Sequence, residues 1–104
     1  MENNFIEYIA DKELNDELLQ KVKLKDQIAK KRETTTSCEN CGKYSYQVHH
    51  IVYRSRGKND GRLHHRYNLA FLCVDCHNKV HNGDLTRYAR RSFSFTKETA
   101  LNNL

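Results

Sequence analysis

Four cysteines fall in two pairs, Cys38-Glu39-Asn40-Cys41 and Cys73-Val74-Asp75-Cys76, separated by 31 residues. The spacing is that of a metal knuckle, and two knuckles can supply four thiolates to one tetrahedral Zn²⁺. Such a closed set is structural, because it leaves no coordination position for a substrate. Two disulfides or a redox-active CxxC are the alternatives, and a reducing compartment favours the metal over both. That compartment is itself an expectation. No apolar run approaches the roughly 20 residues that span a bilayer, and Met1-Glu2-Asn3-Asn4 lacks the basic-then-apolar order of a signal peptide, so a cytoplasmic protein with no membrane contact is expected.

The histidines form a second constellation. His77 and His81 are four apart in a segment that reads as a helix, so both leave one face, the spacing used for paired imidazole ligands. Zinc at Cys73 and Cys76 would pin the start of that helix beside the segment carrying His49 and His50. That segment reads as a strand, on which neighbours point to opposite faces, so only one of the two can face the helix. The adjacent histidines must therefore do different work.

These residues resemble a family. His49-His50-Ile51, Asn68-Leu69, Cys73-x-x-Cys76-His77 and His81 are similar in order and spacing to the HNH, or ββα-metal, endonucleases, in the branch that adds a Cys₄ structural zinc. The resemblance covers roughly Cys38 to Gly83. It implies an α+β fold, a small ββα-metal core with a Cys₄ zinc site flanked by an N-terminal helix and a short C-terminal helix. It further implies His49, His77 and His81 as ligands of one catalytic divalent metal, His50 as general base, and Asn68 as the residue bracing the loop behind His50. The implied activity is hydrolysis of DNA phosphodiester bonds, leaving 5′-phosphate and 3′-hydroxyl ends. Where relatives use oxygen ligands, Mg²⁺ suits; three imidazoles favour Mn²⁺, Ni²⁺, Co²⁺ or Zn²⁺.

Charge agrees with a polyanionic partner. Net charge is +5, and it is concentrated: residues 37–104 carry eleven Lys/Arg against five Asp/Glu, whereas residues 1–36 carry seven against eight. Arg54, Arg56, Lys58, Arg62 and Arg66 lie in a loop with Gly57, Asn59, Asp60 and Gly61, well placed to hold DNA phosphates beside the site. His64 and His65, in the same loop, read as solvated. A zinc-stabilised module that binds DNA without cutting it is the competing function; retention of every proposed site residue argues for the enzyme.

The elements that must position these groups are short. A chain of 104 residues, 38% apolar and 30% charged, makes one domain with a thin core, which is why a metal staple is expected. Residues 1–36 read as a helical extension, with a helix from Lys12 to about Lys31 capped by Asp11 and a helical turn before it around Phe5, Ile6 and Ile9. Its apolar face, Leu14, Leu18 and Val22, either covers the core or serves as a homodimer interface or DNA-flanking arm; the thin core favours the first. Residues 37–83 form the knuckle-bearing core, with strands over Tyr44–Tyr53 and Leu69–Leu72 and a helix from about Asp75 to Asn82 closed by Gly83. In residues 84–104 a basic helix is expected over Asp84–Arg91, followed by a weakly specified tail.

Overall fold

The computed structural model describes residues 2–54 and 59–104, with side chains from residue 12 onward. Its elements run α1 (Glu2–Lys21), α2 (Leu24–Arg32), β1 (Gln47–His50), β2 (Leu69–Leu72), α3 (Val74–His81) and α4 (Lys97–Asn102), with 3₁₀ turns at Arg66–Asn68 and Thr86–Tyr88. β1 and β2 are antiparallel, with His49 opposite Ala70 and His50 opposite Leu69. This is the expected small α+β architecture, a hairpin with α3 following directly.

β2 is the buried centre. All four of its residues are buried, and Phe71 is fully so, with Tyr46 stacked on its ring at 4.4 Å. Glu39 docks the first knuckle on the same strand, its N–H donating to the Phe71 carbonyl at 2.8 Å. β1 is shorter than its aromatic and β-branched run suggests. Past His50 the chain is claimed by Asn68, whose Oδ1 accepts the Val52 N–H at 2.8 Å and whose Nδ2 donates to the Val52 and Leu63 carbonyls.

α3 begins on Cys73, whose sulfur accepts the Cys76 N–H, and ends in a Schellman closure: Gly83 N–H to Val80 carbonyl and Asp84 N–H to Lys79 carbonyl, with Gly83 at φ 93°. The chain then departs from expectation. Instead of a helix over Asp84–Arg91, Leu85 adopts a left-handed conformation (φ 50°), and the 3₁₀ turn folds the chain back so that Arg90 N–H meets the Ile51 carbonyl at 3.1 Å. A left-handed residue with a Cβ costs about 1–2 kcal/mol. Leu85, Tyr88 and Ala89 offset that cost by packing on the Cys/Ala70/Leu72/Val80 core. A helix would have carried them past it.

The N-terminal segment also differs in detail. α1 starts well before Asp11, which is therefore interior and not a cap, and the expected single helix breaks at Lys23, whose backbone is extended. No Gly or Pro marks that break. It redirects α2 so that buried Gln27 accepts from both the N–H and the guanidinium of Arg66. Leu18 and Val22 pack with Ala100, Phe95, Leu101 and Leu104, so the weakly specified tail forms α4 and covers the face that the dimer reading gave to a second copy. Asn15 and Gly61 join α1 to the loop: Gly61 N–H donates to Asn15 Oδ1 at 2.7 Å, and a Cβ on Gly61 would lie 2.4 Å from that of Leu18.

His65, expected in solvent, is fully buried. Its Nε2–H donates to the Ala100 carbonyl at 3.1 Å and its Nδ1 accepts the Tyr67 N–H, so the ring must be neutral to tie α4 to the loop. Burial, aided by the charge of Arg66, takes its pKa from 6.5 down to about 4. An unfolded chain binds this proton below pH 6.5 and the folded one does not. The contribution is thus present above pH 6.5 and lost as pH falls towards 4, on the order of 3 kcal/mol at most. Urea unfolding of wild type and His65→Gln at pH 7 and pH 5 should show a larger acid loss in wild type; equal losses would contradict a neutral buried ring.

Candidate metal centre and active site

Each knuckle is built by its backbone. Cys38 N–H donates to the Lys43 carbonyl at 2.7 Å and Gly42 N–H to the Cys38 carbonyl at 2.9 Å, a turn that needs the positive φ of Gly42 (84°). The four sulfurs lie within 4.8 Å of one another, and Cys41 and Cys73 are 3.5 Å apart. All four cysteines are free in this structure. Four sulfurs about 2.3 Å from one tetrahedral Zn²⁺ would sit about 3.8 Å from each other, which fits this cluster.

Protonation in the cluster points the same way. For Cys38, burial opposes ionisation, but the backbone N–H groups of Cys73, Cys41 and Asn40 outweigh it and draw the thiol down to about 6. At Cys76 the Asn40 amide favours the thiolate, yet burial and the three neighbouring sulfurs push it up to about 12. Four thiolates cannot share this space without a cation, and a divalent ion lets all four ionise.

The second cluster holds His49, His77 and His81, whose ligand nitrogens also lie within 4.8 Å of one another. His49 is buried on β1, facing α3; His77 Nε2 is 3.2 Å from His49 Nδ1 and 3.0 Å from His81 Nε2. The outer nitrogens are engaged. His49 Nε2–H donates to the Tyr88 carbonyl at 2.7 Å, and His77 Nδ1–H donates to Gln47 Oε1 at 2.8 Å. A carbonyl only accepts, so His49 and His77 each turn a lone pair inward. Lone pairs 3.2 Å apart repel unless a cation lies between them. The donor set fits a divalent metal. Burial lowers the pKa of both His49 and His77, keeping the rings in the neutral form that ligates.

His50 stands apart from this trio. Its Nε2 lies 3.1 Å from His64 Nδ1, and burial, reinforced by the charges of His64, Arg54 and His49, takes its pKa to about 4. An open cleft of about 350 Å³ is lined by His49, His50, Tyr53, Arg54, His77 and His81, with the Tyr53 ring stacked 5.9 Å from His81. Asn68 is buried and clamps the backbone two residues beyond His50, as described above.

The basic loop is divided. Arg54 is exposed on the cleft. Arg62 is engaged by both Asp60 oxygens, donates to the Phe95 carbonyl and lies over Phe93 at 4.2 Å, so it braces the loop from within. Arg66 holds Gln27 and lies over Tyr67. Arg56 and Lys58 lie outside the described residues.

Sequence reasoning missed Gln47, the Tyr88 carbonyl and His64. Gln47 was findable: two residues before His49 on a strand, it shares that face. Tyr88 was hidden by the helix expected there, and His64 by the polar look of its loop.

A hairpin followed by a helix, with three inward histidines and a cysteine quartet at one end, is the ββα-metal arrangement. Residues 38–83 match the family described as HNH endonuclease, which makes this segment an HNH domain and supports a nuclease in general. None of the curated proteins and none of the solved structures compared with the chain matches it. Among the described residues, no helix is long and apolar enough to cross a membrane.

Structural zinc contributes about 10–16 kcal/mol of apparent binding energy, comparable to or larger than the roughly 5–15 kcal/mol stability of a domain. EDTA or Cys73→Ser should therefore abolish the cooperative melt seen by circular dichroism, and a cooperative transition in metal-free protein would argue against a structural role. Gln47→Ala should weaken Mn²⁺ binding to zinc-loaded protein by about 10–100-fold in isothermal titration, with the melt unchanged; unaltered affinity would deny Gln47 its orienting part.

Proposed function

We propose that the chain is a metal-dependent endonuclease that hydrolyses DNA phosphodiester bonds, with His50 as general base and His49, His77 and His81 holding one divalent ion. The observation carrying this reading is the division of labour within one cleft. Three imidazoles converge, two of them, His49 and His77, with their N–H sides engaged, while His50, one residue along the strand, pairs instead with His64.

When bound, the divalent ion would neutralise charge developing on the phosphate and the departing oxygen. The remaining work falls to the chain. His50, neutral near pH 7, takes a proton from the attacking water, and Asn68 fixes the backbone that aims it. Arg54 holds a phosphate at the cleft edge and Arg66 is a second candidate contact, whereas Arg62 keeps the loop in shape. Arg56 and Lys58 belong to the same proposal on their sequence position alone. Imidazole donors favour Mn²⁺, Ni²⁺, Co²⁺ or Zn²⁺ over Mg²⁺ at this site, and zinc is the natural occupant of the cysteine quartet. Contacts through phosphates would give binding that weakens steeply with salt and shows little sequence preference.

Supercoiled plasmid with Mn²⁺, Ni²⁺, Co²⁺ or Mg²⁺ tests the reading. Wild type should cut, at least as well with the first three as with Mg²⁺, giving 5′-phosphate and 3′-hydroxyl ends; His50→Ala should be slower by about 10²–10⁴-fold. Intact plasmid with every metal, alongside retained DNA binding, would leave the non-catalytic module. Equal cutting by His50→Ala would remove the base.

A further inference from the structure

His64 belongs to none of the roles above, yet its position is fixed from both sides. Leu63 before it is buried, with its carbonyl accepting from Asn68 Nδ2 at 3.0 Å; His65 after it is buried and bonded to Ala100 and Tyr67. Between these anchors the His64 ring meets His50 edge-on, centroids 5.3 Å apart at 75°, with Nδ1 3.1 Å from His50 Nε2.

Only one of the two nitrogens can carry the shared proton. If His64 donated, both rings would hold their proton on Nδ1, the tautomer that neutral histidine disfavours, and His50 would present an N–H to the cleft. If His50 donates, both rings take the favoured Nε2–H form and the His50 Nδ1 lone pair is left over. Among the described residues His50 Nδ1 has no hydrogen-bond partner, and the residue lines the cleft.

We propose that His64 is a positioning residue for His50: its Nδ1 accepts the His50 Nε2–H and so fixes the ring with the Nδ1 lone pair towards the attacking water. The proposal rests on the reading of His50 as base, but the tautomer and ring orientation can be measured without any cleavage. It also differs from the metal trio, where a backbone carbonyl and an amide do the orienting. Here a second imidazole does so from a loop anchored on α4.

Two readouts on zinc-loaded protein test it. Long-range ¹H–¹⁵N correlation at neutral pH should show His50 with unprotonated Nδ1 and protonated Nε2 in wild type, a mixture of tautomers in His64→Ala, and the wild-type pattern again in His64→Asn, whose Oδ1 can stand where Nδ1 stood. In cleavage, His64→Ala should lower kcat by about tenfold with KM unchanged, and His64→Asn should recover most of it. A His50 spectrum indifferent to both substitutions overturns the proposal while leaving the base intact. A raised KM at constant kcat also overturns it, making His64 a DNA contact. Cleavage by His50→Ala at the wild-type rate would instead remove the base reading, and the spectra would still report whether the two rings are bonded.

Discussion

The geometry of this protein hangs on one cluster, the cysteine quartet that brings the turn before β1 against the first turn of α3. Neither β1 nor α3 has enough apolar surface to dictate how they meet; β1 is four residues and α3 eight. Fixing Cys73 and Cys76 against Cys38 and Cys41 sets where the helix starts, and the helical repeat then brings His77 and His81 onto His49. The histidine cluster is in that sense a geometric product of the cysteine cluster. Opening this cluster would not merely loosen a terminus but would undo the alignment of His49, His77 and His81.

Around that alignment lies a layer of orienting contacts drawn from different parts of the chain. Gln47 comes from the same strand as His49, the Tyr88 carbonyl from the turn after α3, His64 from the loop between the strands, and Asn68 from the 3₁₀ turn just before β2. Each fixes the direction of a group that already stands in roughly the right place. The loop in turn is held at its back by α1 through Asn15 and Gly61 and by α4 through His65, so the helical segments outside the HNH match serve as its foundation.

What was legible in the sequence follows from what kind of rule produced it. Cysteine spacing, the helical repeat of His77 and His81, the alternation at His49 and His50, the glycine closing α3 and the buried strand Leu69–Leu72 are local rules, and all left a pattern. The break at Lys23 did not, because it answers a demand made by Arg66 on Gln27, far away along the chain. The same holds for residues 84–91, where basic residues of fair helical tendency are overruled by packing of Leu85, Tyr88 and Ala89 on the core. His65 was misread for a third reason: a histidine with two backbone partners is as good a buried residue as an apolar one, but its partners cannot be seen in its neighbours.

The Tyr88 contribution differs in kind from the others because it comes from a peptide carbonyl. Any residue at 88 that keeps the turn supplies the same oxygen to His49, so substitutions there can accumulate without turning the His49 ring. A residue inserted or deleted between Gly83 and Arg90 would shift that oxygen away while leaving every recognisable HNH residue in place. The length of this segment, more than its composition, is therefore what heredity must preserve.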